Sequence, residues 1–300
     1  MGLVGAVRGA WRKNEAEIRG LFNGALPDFV TAARPRDALG GVPVFCYHLV
    51  EAASFEADLT FLAENGFQTL RGKDLVAHLR GERDLPDRSV LLTFDDGPRN
   101  FYDVAFPLLA RFQARVTAFI APGLHADQSV EQDIEARPMT WQEISRIHQS
   151  GLVEFQSHTL ESRFVPNWPM PAALAGCKLS VEAPRRGAPL NLREDLGRSC
   201  GLLQARLPGL TVNQLAFPMY LGTAEAIADA RAVGIEACYW GLQPGRALNR
   251  RGDSPFHISR MSDEFLRRLP GRGRISVGEL LRIRMHRIRS ARAWRHRHGG

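Results

Sequence analysis

The chain contains no run of apolar residues approaching the roughly 18 that a membrane-crossing helix needs. Its start, Met1-Gly2-Leu3-Val4-Gly5-Ala6-Val7-Arg8, meets Arg after a weak apolar stretch too short for a secretory h-region. These two absences predict a protein that is cytoplasmic or peripheral to a membrane. No Cys-x-x-Cys pair occurs either: Cys46, Cys177, Cys200 and Cys238 are widely scattered. That spacing argues against a zinc knuckle or a disulfide scaffold and leaves buried small hydrophobes or free thiols. Nor is the body of the chain basic, although the net charge is +7. Residues 271–300 carry nine Arg against one Glu, a charge of +8, which leaves −1 for the other 270 residues. Three hundred residues are ample for a large core in one domain or two.

What the chain does contain is concentrated in Val90-Leu91-Leu92-Thr93-Phe94-Asp95-Asp96-Gly97-Pro98. A short apolar strand ends in two adjacent carboxylates, followed at once by Gly and Pro. Two acids side by side are costly unless a cation holds them, and the pair suits one metal ligand and one base. The plainer reading is an acidic loop that caps the following helix. Elsewhere, periodicity predicts strands at Val42–His48, Phe67–Leu70, Ser89–Phe94, Val116–Ile120, Val153–Ser157, Gln214–Phe217, Ala237–Trp240 and His257–Arg260. Helices are expected over Phe55–Asn65, closed by Gly66, and over Asp74–Leu79, Phe101–Phe112, Trp141–Gln149 and Thr223–Val233. Thr140 and Glu143 form a capping box before Trp141. Residues 163–195 lack periodicity and read as a long excursion with one helix at most.

Strands alternating with helices indicate an α/β parallel sheet, open or closed into a barrel. Chemistry then belongs at the carboxyl ends of the strands. Asp95, Asp96, His158 and Pro218-Met219-Tyr220 all fall there. The expected organisation is a leader helix and linker over 1–41, the α/β domain over 42–268 and a basic extension over 269–300.

The succession Tyr47-His48, Thr93-Phe94-Asp95-Asp96-Gly97, Ser157-His158-Thr159 and Phe217-Pro218-Met219-Tyr220 resembles the polysaccharide deacetylase family, whose common unit is the NodB-homology domain. The likeness extends over roughly residues 42–265. It implies a (β/α) barrel-like fold, complete or distorted, that hydrolyses an N-acetyl or, less commonly, an O-acetyl group on a glycan or a lipid-linked glycan. It further implies Asp95 as the base, and Asp96 and His158 as ligands of a divalent metal, most often Zn2+. Pro218, Met219 and Tyr220 would form the oxyanion wall. A metal that polarises the acetamide carbonyl and acidifies a water suits these residue types.

The chain departs from the family pattern at several points. The second His of the metal motif, four residues after His158, is Ser162, and a neutral hydroxyl is a poor zinc ligand. Glu161 is the leading substitute, with His48 and His125 within conceivable reach. Water could instead complete the site, or the site is lost and the protein is a catalytically impaired glycan binder. The Arg that usually orients the base is absent before Pro218, and Arg260 can supply that charge. His257 is the candidate acid for the leaving amine, set against a half-exposed strand histidine. Trp240 either stacks on a sugar ring or packs in the core. Over 278–295, Leu281, Met285 and Ile288 recur at helical spacing among arginines. That pattern fits an anionic membrane surface or a solvated terminus, and no nucleic-acid recognition fold accompanies it.

Overall fold

A computed structural model describes residues 17, 20, 26–127, 137–162, 191–243 and 245–286. Most of the expected leader, most of the excursion and the last part of the basic extension (287–300) lie outside the described residues. Among the described residues, eight strands form one parallel sheet: β1 (Val44–Tyr47), β2 (Gln68–Leu70), β3 (Ser89–Asp96), β4 (Val116–Ile120), β5 (Val153–Ser157), β6 (Gln214–Ala216), β7 (Ala237–Tyr239) and β8 (Met261–Ser262). Their order is β7-β6-β5-β4-β3-β1-β8. Strand β3 carries β1 along one side; β2 pairs with its first half and β4 with its second. The sheet curls into an incomplete (β/α) barrel. Its seam is spanned by residues 258–262, which bridge to β7 at Ile258 and pair with β1 at Met261 and Ser262.

Helices α1 (Ala52–Glu64), α2 (Gly72–Leu79), α3 (Phe106–Phe112), α4 (Trp141–Gln149), α5 (Leu192–Arg206) and α6 (Ala224–Ala232) accompany the strands, and residues 277–286 form α7. None among the described residues is long and apolar enough to cross a membrane. The predicted faces hold: Phe55, Leu59 and Leu62 of α1 are all buried. The Thr140–Glu143 capping box opens α4 as expected. Each fully buried Leu or Phe contributes about 1.5–3 kcal/mol relative to exposure.

Strand alternation decides what reaches the barrel interior. Val90, Leu92 and Phe94 pack in the larger cluster with the helices, whereas Leu91 joins Val44, Phe119, Ala216 and Tyr239 in the smaller one. Thr93 and Asp95 follow Leu91 on that inner side. The core also extends before Val42, since Leu26, Phe29 and Val30 belong to the larger cluster. Arg268 donates to the carbonyls of Val30 and Ala32, and Arg274 to those of Phe29, Ala32 and Ala33, pinning this segment to the domain.

Three expectations differ from the structure. Residues 257–260 are not a regular strand: Pro255–His257 is a short 3-10 turn, capped by the Ser254 hydroxyl, and the strand begins at Met261. The helix expected over Phe101–Phe112 starts as a π turn at Phe101–Ala105. Pro107 lacks the N–H that would continue a regular ladder. Helix α5 was not expected. Asn191 caps it, and Leu192, Leu196, Cys200 and Leu203 give it a buried stripe.

Candidate active site

The carboxyl ends of β1, β3, β5, β6 and β8 meet at one edge of the barrel. Asp95 projects inward and is 1 % exposed. Arg260 donates from Nη1 to its Oδ1 at 2.7 Å, and the Cys46 thiol lies 3.5 Å from its Oδ2. Burial pushes the Asp95 carboxyl up. The charges of Arg260, His158 and His48, with the Arg260 hydrogen bond, outweigh it and hold the group well below the usual carboxylate range. Arg260 is itself fully buried. Burial disfavours its charge, but Asp95 more than restores it. Its Nε donates to the Trp240 carbonyl, and the guanidinium lies over the rings of Phe119 and Tyr220. The position expected to replace the missing arginine is thus filled from the segment that spans the seam.

Asp96 leaves β3 in the left-handed region, with φ 69°. Its side chain remains 48 % exposed, and its Oδ1 lies 3.5 Å from His158 Nε2. His158 follows β5 and is buried, with Nδ1 2.8 Å from the Ala216 carbonyl. A carbonyl only accepts, so Nδ1 carries the proton and Nε2 is turned to Asp96. The space between a carboxylate oxygen and this nitrogen suits a proton or a cation. The outward carbonyl bond that fixes the ring is the arrangement metal-binding histidines use. Ser162, also left-handed at φ 54°, donates from Oγ to the same Asp96 Oδ1 at 3.0 Å. Asp96 and His158 therefore fit a divalent cation as two ligands, with a hydroxyl at the third corner. Gly97, at φ 69°, makes the turn after them, and a Cβ there would collide with Ile120 at 2.8 Å.

Neither Glu161 nor His125 joins these two in a ready ligand trio. Among the described residues, the His, Cys, Asp or Glu groups whose donor atoms converge are Cys46, His48 and Asp95, within 4.8 Å of one another. His125 is buried, donates from Nδ1 to the Met139 carbonyl, and is pushed down to about 4 mainly by burial, which keeps it neutral. The 158–162 loop is braced by α5: Asp195 accepts from the Leu160 amide at 2.8 Å, and Ser157 and Ser199 share a hydrogen bond. Burial pushes Asp195 up to about 7, and the charge of Glu161 adds to it.

A cavity of about 230 Å³ opens beside Asp95, lined in part by Cys46, His48, Tyr220, Arg260 and Asp263. The Tyr220 hydroxyl stands 3.5 Å from His48 Nε2 and 3.6 Å from Cys46 Sγ. Met219 and Tyr220 are consecutive left-handed residues, φ 56° and 65°, that fold the chain sharply after β6. Trp240 donates from its indole to the Phe256 carbonyl and stacks on His257 at 5.4 Å. His257 does not line the cavity. His48 directly follows a buried strand, lines the cavity and converges with Cys46 and Asp95.

Residues 82–238, just over half of the chain, match the family model of polysaccharide deacetylase. The chain belongs to the polysaccharide deacetylase family. Over 125 residues it is 32 % identical to the poly-β-1,6-N-acetyl-D-glucosamine N-deacetylase of Escherichia coli K12, a match covering 38 % of this chain and 18 % of that protein. The enzyme of the same name from Staphylococcus aureus MSSA476 is 26 % identical over 110 residues, 37 % of each chain. The chain thus spans well under half the length of these relatives. Solved structures share the fold of this chain. IcaB from Ammonifex degensii superposes with a TM-score of 0.60 over 74 % of this chain and 91 % of that one, at 24 % identity. A de-N-acetylase from Aggregatibacter actinomycetemcomitans gives 0.59 over 73 % and 94 %, also at 24 % identity.

Proposed function

We propose that this chain hydrolyses N-acetyl groups on a polysaccharide of N-acetylglucosamine, the poly-β-1,6-linked polymer named for its relatives being the first candidate. The observation that carries the reading is the survival of the two carboxylates in different settings at one strand end. Asp95 is buried and clamped by Arg260, while Asp96 opens towards His158 and the solvent. Asp96 and His158 would hold a divalent cation, with zinc the first candidate for an N,O donor set. Bound there, it would polarise the acetamide carbonyl and acidify the attacking water.

Asp95 is the base that accepts the water's proton, kept ionised across all working pH values by Arg260. Arg260 also fixes its orientation through one hydrogen bond. The Pro218–Tyr220 turn offers the Met219 amide to the oxygen that gains charge, since Pro218 has no N–H and the Tyr220 amide already donates to the Phe217 carbonyl. His48, beside the cavity and in reach of Asp95, returns a proton to the leaving amine. His257 instead supports Trp240 as a wall against the sugar. Residues 42–268 act as the deacetylase domain, with the segment from Leu26 packed on it.

Acetate release from β-1,6-linked N-acetylglucosamine oligomers, with added zinc, tests this. The expected result is release by the wild type and loss in Asp95→Asn. Retained glycan binding with no release from any N-acetylated polysaccharide would instead put the impaired glycan binder in front.

A separate observation favours attachment to an anionic membrane. In α7, Leu280 is buried, whereas Val277, Leu281 and Met285 are 37, 48 and 50 % exposed along one stripe. Residues 287–300 add five Arg and Trp294 with no acid. Apolar insertion plus arginines is the chemistry of an interfacial helix. Sedimentation with anionic vesicles, reduced by Leu281→Glu and by salt, is the expected result.

A further inference from the structure

We propose that Ser162 makes the Asp96–His158 pair a low-affinity, exchangeable cation site, so that this protein loads its metal from the surrounding pool. The inference rests on the reading above that these two residues are the ligands. A catalytic zinc is ordinarily held by three protein ligands with water in the fourth position. Here two strong donors face each other across 3.5 Å, and the third corner is a hydroxyl that stays protonated at neutral pH. Ser162 is also more than a missing ligand. Its Oγ–H is aimed at Oδ1 of Asp96, the same oxygen that faces His158 Nε2. A cation entering between them must share that oxygen with the hydroxyl proton or turn the serine away.

Among the described residues, no further His, Cys, Asp or Glu brings a donor atom into a cluster of three with Asp96 and His158. The converging trio of Cys46, His48 and Asp95 lies on the inner side, where Arg260 is 2.7 Å from Asp95 and a second cation would meet the guanidinium. The loop itself is firmly placed: Leu160 donates to Asp195, its carbonyl accepts from Gly123, and Thr159 donates to Ser157. A replacement at Ser162 therefore enters a formed frame. His is among the residues better tolerated at positive φ, and Cys keeps the size of Ser while supplying a thiolate.

The test is zinc affinity of the full chain, by competition with a chromophoric chelator, for the wild type, Ser162→His and Ser162→Cys. Cobalt absorption is the second readout. Sharing the free energy of a four-ligand zinc site equally gives roughly 100-fold in affinity per strong ligand. Wild-type protein should lose zinc on dialysis, and both variants should bind about 100-fold more tightly. Ser162→Cys alone should show a thiolate-to-cobalt charge-transfer band. Wild-type protein that keeps one tight zinc, unchanged by either substitution, would overturn the proposal. So would a thiolate band in the wild type that Cys46→Ala removes, because the metal would then sit in the inner trio. Tighter binding in both variants, with no acetate released by any form at saturating zinc, would uphold the role of Ser162 and sink the deacetylase reading instead.

Discussion

Asp95 and Asp96 are adjacent in sequence and opposite in circumstance. The first is 1 % exposed, clamped by a buried guanidinium and flanked by Cys46. The second stands 48 % exposed in a left-handed turn, facing His158 and Ser162. Alternation along β3 makes the difference, sending one side chain into the barrel and leaving the next to turn out with the chain. The inner half is a fixed ion pair whose strength comes from exclusion of water. The outer half is an open pair of donors. A change at the third corner of the outer half, where Ser162 stands, therefore leaves the inner ion pair untouched.

The sharpest way to break the comparison is at the inner half. Asp95→Asn keeps the shape and removes the proposed base, so acetate release should fall by about 10²–10⁴-fold with the fold intact by circular dichroism. An unaffected rate would move the base elsewhere. Arg260→Leu leaves Asp95 buried and unpaired, which should cost about 3–5 kcal/mol in urea unfolding. The sign of the pH dependence follows from the depressed Asp95 value. The pair's stabilisation is present above the ordinary carboxylate range and is lost only as pH falls through the lower folded value. Wild-type protein should therefore keep this contribution down to about pH 4, and the variant should lack it at every pH above that.

A milder effect sharpens the picture of the outer half. Asp195, which braces the 158–162 loop, is pushed up to about 7 by burial. A folded value raised above the unfolded one gives stability that is full below about pH 4 and lost as pH rises through 7. Asp195→Asn should remove that slope and stabilise the protein at pH 8 by about 1–3 kcal/mol, with little change at pH 4. A thermal scan at the two pH values checks it. Smallest of all, His257→Ala should change acetate release by less than about 10-fold, whereas His48→Ala should exceed that. The reverse order would return the acid role to His257.

Much of this was legible in the sequence where local signals and burial agree. Strands β4 and β5 and helix α4 fall on the expected residues, because the largely apolar β4, the Val153–Phe155 alternation of β5 and the capping box of α4 leave little choice. The edge carrying Asp95, Asp96, His158 and Tyr220 followed from strand ends alone. Helix α5 was missed because the Pro-rich stretch before it hid the Asn191 cap. The place of Arg260 was anticipated as a charge but not as a bridge over the seam, since that depends on a contact 165 residues away in sequence. The neighbours of His48 were not legible for the same reason: they come from β3 and from the turn after β6.

One contact has a consequence for synthesis. Arg284 of α7 pairs with Glu17, 267 residues earlier, and Glu17 also accepts from the Ser262 amide on the rim of the cavity. The Arg284–Glu17 pair cannot form until the ribosome has delivered α7. At about 5–20 residues per second, the early partner waits roughly 15–50 s for the late one. Through that interval the cavity rim rests on the Ser262–Glu17 bond alone, and the Arg284 contact behind it is still to come.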